Sequence, residues 1–407
     1  MSATPYDLAV SRFADFQTDI YAQGAAGVVP SLPLTFDGLM AAAEEVMDPR
    51  TFGYVAGSAG TGATNAANRD AFSGFEIVPR HLRGVADRDL QVDLLAKPQP
   101  TPLLLAPIGA LGTVFPNAEL EVARVASALG VPMVLSTLAN HPLEHVAAAL
   151  HESQGGTGWF QLYWPNDNEV ALSLVHRAEQ AGYEALVVTL DTWTLAWRPV
   201  DLAYGYLPFL NGAGLANYLS DPVFRARLKE SPEEHPEAAV ALWTTMFNNP
   251  GLRARDLAWL KKNSKLPVIA KGVCHPDDAR IALAAGLDGI IVSNHGGRQI
   301  DGARAALNCL ADVVEASGDM PVLFDSGIRT GSDILKALAL GARAVLIGRP
   351  YVFGLALGGG AGVGHVLRCL LAELDLTLGL SGHAAIAELG PESLVRAGLG
   401  SCRVGTG

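Results

Sequence analysis

The sequence predicts a (β/α)8 barrel, and three observations support that fold class. From residue 101 onward, short runs rich in Val, Ile and Leu alternate with segments of helical periodicity. The apolar runs number eight, and several of the helical segments end in glycine, as helices commonly do. Buried apolar strands that alternate with helices form parallel sheets, and eight such units close into a barrel.

The eight candidate strands are short and lie between residues 102 and 348. In order they are 102–107, 132–137, 158–163, 185–191, 267–272, 289–293, 321–325 and 344–348. Helices are expected between them, for example over 118–129, 170–181, 276–285 and 333–339. An open doubly wound sheet is the alternative. Such a sheet normally carries GxGxxG after its first strand, whereas residues 106–112 have the sequence APIGALG.

Three segments lie outside the barrel pattern, which is expected over 101–390. Residues 1–100 are expected to form a helical segment, with helices near 11–23, 35–45 and 49–55, that caps the N-terminal end of the barrel. Residues 391–407 form a C-terminal tail. Residues 192–255 form a long insertion after the fourth strand, and loops of this length are commonly lids. The aromatic residues expected to pack over a ligand there are Trp193, Trp197, Tyr204, Tyr206, Tyr218 and Trp243.

Composition limits the possible functions. The net charge of −12 argues against nucleic acids and anionic membranes as partners, although local arginines can still bind a small anion. No uninterrupted apolar stretch reaches 18 residues, and residues 1–19 do not resemble a signal peptide, so a cytoplasmic protein is expected. None of the cysteines, at 274, 309, 369 and 402, lies in a CxxC pair, which predicts free thiols and no metal site.

Residues 293–299, with the sequence SNHGGRQ, form the most informative segment because they follow the apolar run 289–292. His295 can take a proton near neutral pH, and Arg298 can bind a carboxylate through two parallel hydrogen bonds. The two glycines between them let the backbone approach a flat ligand. A base beside a carboxylate-binding group indicates chemistry on a carbon next to an acid group.

The loops after strands seven and eight are predicted to bind phosphate, as they commonly do in this architecture. Asp325, Gly327 and Arg329 follow strand seven, and Gly348 and Arg349 follow strand eight. Backbone amides at the glycines can surround a phosphate while the arginines supply charge. The alternative is two surface arginines in tight turns.

Three further charged residues follow strands four and five. Lys271 could pair with a carboxylate, stabilise an anionic cofactor or form a Schiff base. Asp191 could orient His295 and stabilise its protonated form, although such pairs are often only structural. Arg198 together with Arg298 suggests capture of an acid at two points.

Taken together, these residues resemble the family of FMN-dependent α-hydroxy acid oxidases and dehydrogenases. The resemblance spans about residues 35–390 and is most specific over 293–298. Its other motifs are YVAG at 54–57, API at 106–108, QLY at 161–163, TLD at 189–191, KG at 271–272, DSG at 325–327 with Arg329, and GRP at 348–350. Within the family, residues 20–30, 191–199 and 221–225 are similar to lactate 2-monooxygenases.

The resemblance implies a role for each matching residue. His295 would be the catalytic base with Asp191 as its partner, Tyr163 would bond the substrate, and Lys271 would lie beside flavin N1. The substrate carboxylate would be held by Tyr54, Arg198 and Arg298. FMN would be contacted by Ala106, Pro107, Ile108, Ser136, Gln161, Thr189, Lys271 and Ser293 at the ring and ribityl chain, and by Asp325, Gly327, Arg329, Gly348 and Arg349 toward the phosphate.

The resemblance also implies the reaction. Electrons from an L-2-hydroxy acid would pass to FMN and then to O2. The protein would form a homotetramer or homo-octamer. Gly109 leaves space near the reactive edge, which favours retention of the keto acid and conversion of lactate and O2 to acetate, CO2 and water. The alternatives are an oxidase that releases the keto acid and H2O2 from lactate or a mandelate-like substrate, and, more distantly, a Schiff-base lyase that uses Lys271.

Overall fold

The computed structural model describes residues 13–152 and 156–398, and within them eight parallel strands close into a barrel. The strands are β1 (Leu103–Leu105), β2 (Met133–Ser136), β3 (Gly158–Leu162), β4 (Ala185–Thr189), β5 (Val268–Val273), β6 (Gly289–Val292), β7 (Val322–Phe324) and β8 (Ala344–Ile347). Each strand pairs with the next along the chain, and β8 pairs with β1. The predicted (β/α)8 fold class is confirmed.

Helices surround the barrel and form the segments outside it. They are α1 (Asp15–Ala25), α2 (Phe36–Val46), α3 (Pro49–Ala56), α4 (Ala63–Ser73), α5 (Ala118–Ala128), α6 (Leu143–Leu150), α7 (Asn168–Gln180), α8 (Pro199–Ala203), α9 (Ala216–Leu219), α10 (Pro222–Arg225), α11 (Pro236–Phe247), α12 (Ala254–Asn263), α13 (Pro276–Ala284), α14 (Ala306–Ser317), α15 (Gly331–Ala339) and α16 (Arg349–Leu380). Local sequence explains several helix starts. Asp167 accepts hydrogen bonds from two N–H groups of α7, and Thr330 and Asp333 cap α15 reciprocally.

The barrel strands are buried on both faces, which explains their continuous apolar composition. Every residue of β3, β4 and β6 is buried. Helices cover the outside of the barrel and side chains fill its interior, so neither face of the sheet meets water. Polar residues are concentrated toward the carboxyl ends of the strands; the buried ones are Ser136, Gln161, Thr189 and Lys271.

The N-terminal segment lies partly at the opposite end of the barrel from the one expected. Helices α3 and α4 pack over the carboxyl ends of the strands, where the N–H of Ala59 donates to Gly297 O at 3.0 Å. Arg349 donates to Val55 O and Gly57 O at 3.1 and 2.8 Å. The expectation of a cap on the N-terminal end is therefore wrong for these two helices. Contacts between segments this far apart in the chain leave no local sequence pattern.

A hairpin formed by Val92–Leu94 and Lys97–Gln99 lies instead at the amino ends of the strands. Lys97 Nζ is 3.1 Å from Glu184 Oε1, and Glu184 directly precedes β4. The chain thus crosses from one end of the barrel to the other between α4 and β1. Helix α4, which the sequence analysis did not predict, belongs to the part over the carboxyl ends.

Helix α16 follows β8 and is long and apolar enough to cross a membrane by length and composition alone. In its most apolar stretch 61% is buried inside the protein, where the helix packs against α2, α5 and α15. It is interrupted at Gly358 and Gly359, whose backbone is not helical. These contacts identify α16 as a core helix of the barrel's outer layer.

The cysteines that the structure describes, Cys274, Cys309 and Cys369, are free thiols. Cys402 and the last residues of the C-terminal tail lie outside the described residues. The preceding part of that tail is ordered against the N-terminal segment, because Leu394–Arg396 pairs with Phe75–Ile77 in an antiparallel sheet of two strands.

Candidate active site

A cavity with about 1020 Å³ of empty space opens at the carboxyl ends of the barrel strands. The segments that meet there are α3, the strand-end loops and the insertion. The predicted site residues that border the cavity are Tyr54, Ala106, Pro107, Ile108, Tyr163, Arg198, Lys271, His295, Arg298, Asp325, Gly327, Arg329, Gly348 and Arg349. Its lining combines apolar side chains with a few charged groups, as is typical of ligand-binding sites.

A tight turn after β6 presents His295 to the cavity. His295 has a φ of +58°, an unusual value for a residue with a side chain and one that is often found at functional sites. The next two positions, Gly296 and Gly297, favour glycine because both have a positive φ and little room for a side chain. A Cβ on Gly296 would lie 2.9 Å from Arg349 Nη1, and one on Gly297 would lie 2.5 Å from the backbone N of Asn65. The turn therefore packs directly on α4 and on Arg349.

With respect to the described residues, the His295 ring is hydrogen-bonded through Nδ1 alone. Its Nδ1 lies 2.8 Å from Asp191 Oδ1 and 3.0 Å from Thr192 Oγ1. Burial lowers the pKa of His295 despite the nearby carboxylate, so the ring is neutral at pH 7. Burial opposes ionisation of Asp191. In the acid range where Asp191 titrates, His295 is protonated, and its charge, that of Lys271 and the hydrogen bonds from His295 and Thr192 outweigh burial and lower the pKa of Asp191 to about 2. The pair is therefore a neutral imidazole held by a carboxylate, which is suited to accepting a proton.

Two guanidinium groups border the cavity beside His295. Arg198 donates from Nε to Arg298 O at 3.0 Å and from Nη2 to Gln299 Oε1 at 2.7 Å. Arg298 donates to Gly57 O at 2.8 Å, and its guanidinium lies 5.2 Å from the centre of the Tyr54 ring. Burial and the charge of Arg198 lower the pKa of Arg298 to about 10. An anion in the cavity would relieve this repulsion, so the pair is arranged to accept a carboxylate.

Asp201, in α8, is a neighbour of this pair that the sequence analysis missed. Its Oδ2 lies 4.0 Å from Arg198 Nη1, and its Oδ1 is buried with no hydrogen-bond partner among the described residues. Burial raises the pKa of Asp201, although Arg298 and Arg198 act in the opposite direction. The Arg-x-x-Asp spacing at the start of a helix was the available signal, because residues three apart share a helix face.

Lys271 is buried at the end of β5 between two polar partners. Its Nζ donates to Ser293 Oγ at 3.0 Å and lies 3.1 Å from Asp325 Oδ2. Burial opposes the charged form, but the carboxylates of Asp325 and Asp191 outweigh it and raise the pKa of Lys271. Lys271 is therefore an ammonium group with a fixed position.

Two partly buried arginines follow β7 and β8, where phosphate binding was predicted. Among residues 13–152 and 156–398, the acceptors of Arg349 are all neutral oxygens, those of Val55, Gly57, Asn65 and Gly296. Arg329 is stacked 4.1 Å from the centre of the Phe36 ring, and its Nε has no partner within the described residues. Burial lowers the pKa of Arg329 to about 9 and that of Arg349 well below its usual value. Both groups need an anion, which a phosphate would supply.

Four of the predicted cofactor residues lie beneath the cavity rather than on its border. Gln161 links β3 to its neighbours, since its Oε1 accepts from Ser136 Oγ at 3.2 Å and its Nε2 donates to Thr189 Oγ1 at 3.0 Å. Ser293 is completely buried beside Lys271. Asp191 is likewise behind His295. These side chains form a polar floor, and whether they contact a cofactor stays a prediction.

The aromatic residues expected to cover a ligand do not border the cavity. Trp193, Trp197 and Tyr204 are about half exposed or more, and Tyr218 is buried against Phe224. The insertion contributes two other rings to the cavity, Phe209 and Phe247, together with Leu195. These rings were not predicted from the sequence because residues 192–255 have no periodicity that shows which side chains face inward.

The sequence matches the family of FMN-dependent dehydrogenases over residues 43–396. An FMN-dependent alpha-hydroxy acid dehydrogenase of Penicillium citrinum is 43% identical over 390 residues, which are 95% of this chain and 96% of that protein. An L-lactate oxidase of Lysinibacillus sphaericus is 42% identical over 365 residues, 89% and 93% of the two chains. A soluble mutant of the membrane-associated (S)-mandelate dehydrogenase from Pseudomonas putida has a similar crystal structure, with a TM-score of 0.80 at 35% identity, covering 89% and 99%.

Proposed function

Because this chain belongs to the family of FMN-dependent dehydrogenases and is an FMN-dependent 2-hydroxy acid oxidoreductase, we propose that it is a lactate 2-monooxygenase. The proposed reaction converts lactate and O2 to acetate, CO2 and water. The observation that carries it is the convergence of the neutral His295 and the Arg198–Arg298 pair on one cavity. That arrangement suits removal of a proton from an acid whose carboxylate is held in place.

The described residues fit FMN. Within the described part of the chain, the partly buried Arg349 and Arg329 form no ion pair, which suits a phosphate, and the ammonium of Lys271 suits an electron-rich ring. Ala106, Pro107 and Ile108 offer an apolar border for a flat ring system. When bound, FMN supplies an acceptor for the two electrons that the substrate loses. The remaining steps depend on side chains of the chain itself.

The substrate carboxylate is assigned to Arg198 and Arg298, assisted by the hydroxyl of Tyr54. Burial raises the pKa of both Tyr54 and Tyr163, so both phenols stay protonated and can donate hydrogen bonds at neutral pH. Two charged and two neutral donors border the same cavity, which is enough to bond the carboxylate and the hydroxyl of the acid. Fixing that orientation brings the α-carbon and its hydroxyl to His295.

His295 is assigned as the base through Nε2, because Nδ1 is engaged by Asp191 and Thr192. As the imidazole takes up a proton, the ionised Asp191 stabilises the resulting positive charge. The same hydrogen bond fixes the tautomer in which Nε2 is unprotonated at the start. Removal of a proton from either the α-carbon or the hydroxyl uses this arrangement.

The rival Schiff-base mechanism needs an unprotonated lysine amine. Lys271 is an ammonium group whose pKa is raised by two carboxylates and whose Nζ is already bonded to Ser293 and Asp325. These contacts argue against nucleophilic attack by Lys271. They instead support electrostatic stabilisation of negative charge beside it.

Decarboxylation within the site is the finer part of the proposal. Gly109 borders the cavity, and its missing side chain lets Phe209 of the insertion pack close to it, with Phe247 lining the same cavity. Packing of the insertion this close to the bound acid would help to retain the keto acid while oxygen reacts. The second candidate, release of pyruvate and H2O2, is favoured by the names of relatives such as the L-lactate oxidase.

Product analysis in air tests the reaction. Lactate turnover should yield acetate and CO2 in amounts equal to the O2 consumed, and it should do so with catalase present. Catalase matters because free H2O2 can itself convert pyruvate to acetate in solution. Accumulation of pyruvate in the presence of catalase would assign the protein to the oxidases instead.

We also propose that the protein works in the cytoplasm as a homotetramer or homo-octamer. Several apolar side chains are exposed on α1, on the segment after it and on the insertion, which supports contacts between subunits. They include Tyr21, Val29 and Trp197, which are 71%, 77% and 74% exposed. Light scattering on the FMN-loaded protein would give the number of subunits.

A further inference from the structure

Five aromatic rings form a continuous arc over the cavity, from Tyr54 to Tyr163. Neighbouring ring centres are 6.0 Å apart for Tyr54 and Phe209, 5.6 Å for Phe209 and Trp243, 5.2 Å for Trp243 and Phe247, and 5.8 Å for Phe247 and Tyr163. Such spacing is characteristic of packed aromatic pairs. The insertion supplies the three central rings. Its two outer rings, Phe209 and Phe247, pack against Tyr54 and Tyr163, the tyrosines assigned to the substrate.

Phe209 is a tightly packed ring of this arc. It is 3% exposed, and it lies between two glycines. A Cβ on Gly109 would be 3.2 Å from Phe209 Cζ, and a Cβ on Gly214 would be 3.1 Å from both Cδ1 and Cε1. Gly214 also has a φ of +81°, which favours glycine on its own. The absence of two side chains thus lets the phenyl ring occupy this position.

The cavity that Arg198, Arg298 and His295 border also has an apolar lining. Phe209 belongs to this lining, together with Gly109, Leu138 and Leu195. A 2-hydroxy acid whose carboxylate and α-hydroxyl are bonded to the polar groups leaves its remaining substituent to pack against this apolar lining. The size of that substituent is therefore limited by Phe209.

We propose that Phe209 is a specificity-determining residue that restricts the enzyme to 2-hydroxy acids with a short alkyl substituent. The inference rests on the proposed function, since it assumes that Arg198 and Arg298 hold the carboxylate. The ring fills the volume that a phenyl substituent would need. Removing it leaves a cavity lined by apolar groups, and an engineered apolar cavity of about 150 Å³ is known to admit benzene.

The test compares lactate with (S)-mandelate in the FMN-loaded enzyme. Wild-type enzyme should prefer lactate, and Phe209→Ala should raise the ratio of kcat/KM for mandelate over lactate by about tenfold or more, within the range that pocket size gives in other enzymes. The matched control is Phe224→Ala, which removes a fully buried ring from the same insertion away from the cavity. It should leave the ratio unchanged.

A second variant addresses the glycine contact. The added methyl group of Gly109→Ala would displace the Phe209 ring and should lower kcat/KM for lactate. In a Phe209→Ala background the same change should have a smaller effect, because the displaced ring is absent. If Phe209→Ala does not bind FMN, Phe209→Leu keeps an apolar side chain and still shortens the wall, with a shift in the same direction.

An unchanged ratio in a Phe209 variant that retains lactate activity would overturn the proposal, as would a wild-type enzyme that oxidises mandelate as well as lactate. Failure of the proposed function has a different signature. In that case lactate gives pyruvate and H2O2, or no FMN reduction at all, whatever the residue at position 209.

Discussion

The reactivity of His295 depends on a balance between burial, which lowers its pKa, and Asp191, which raises it. Burial prevails, so the acidic limb of kcat/KM should lie below pH 6.5, the ordinary pKa of histidine. Above that limb the imidazole is neutral and competent as a base. The burial of His295 in the fold thus determines the lower end of the pH range of activity.

Replacing Asp191 with Asn tests this balance. The carboxylate of Asp191 raises the pKa of His295 through its charge and its hydrogen bond. Loss of that carboxylate should therefore move the acidic limb to lower pH. The plateau should fall on the order of 10²-fold or more, because the protonated ring loses its partner. Thr192→Val is the matched control, since it removes a neighbour of His295 without removing charge. A limb that moves to higher pH in Asp191→Asn would contradict the assignment.

At the residue scale, the sequence predicted positions where a strand end fixed them, while the roles of these residues stay predictions. His295 and Arg298 follow β6 directly, and the carboxyl ends of parallel strands meet at one face, so their convergence on a cavity with Lys271 was predictable. Phe209 and Asp201 were not predictable in the same way. They lie in the insertion, where no strand determines the direction of a side chain.

Among the elements, the glycine turn after β6 is the one that joins the barrel to α4. Gly297 meets the backbone of Asn65, and the side chain of Asn68 exchanges hydrogen bonds with that of Asn294 at 2.8 and 2.7 Å. The turn therefore determines where α4 sits, and α4 in turn supports Arg349 through Asn65. Disrupting the contact between this turn and α4 should disturb the part of the cavity around Arg349, where phosphate binding is proposed.

Gly297→Ala should destabilise the protein by about 1–3 kcal/mol and weaken FMN binding, because its φ is +75° and a Cβ would lie 2.5 Å from Asn65 N. Gly302→Ala provides a matched control. Gly302 has the same φ of +75°, but a Cβ there meets nothing within 4 Å. Chemical denaturation and FMN titration of both variants separate the effect of the clash from that of the backbone strain. Equal losses of stability and FMN affinity in the two variants would show that the clash with Asn65 has no effect.

The placement of elements was harder to predict than their existence. The helices α5, α7, α13 and α15 begin and end within two residues of the predicted bounds, because apolar periodicity and terminal glycines are local signals. The position of α3 and α4 over the carboxyl ends depends on contacts with residues more than 200 positions away in the chain. Such contacts are not visible in a single sequence.

In the whole molecule, a net charge of −12 surrounds a cavity that is locally basic. Five buried or partly buried cationic side chains border it; they are Arg198, Lys271, Arg298, Arg329 and Arg349. Their cost is acceptable only if anions complete the site, which a phosphate group and a substrate carboxylate would do. Global charge therefore excluded nucleic acid as an expected partner without excluding small anionic ligands.

The central claim is that His295 is the base for a 2-hydroxy acid held by Arg198 and Arg298. The most direct measurement is anaerobic reduction of bound FMN by lactate in His295→Asn, a change chosen because Asn tolerates the φ of +58° at this position. The variant should bind FMN normally, and its reduction rate should fall by about 10²- to 10⁴-fold. A reduction rate equal to that of the wild-type enzyme would contradict the account.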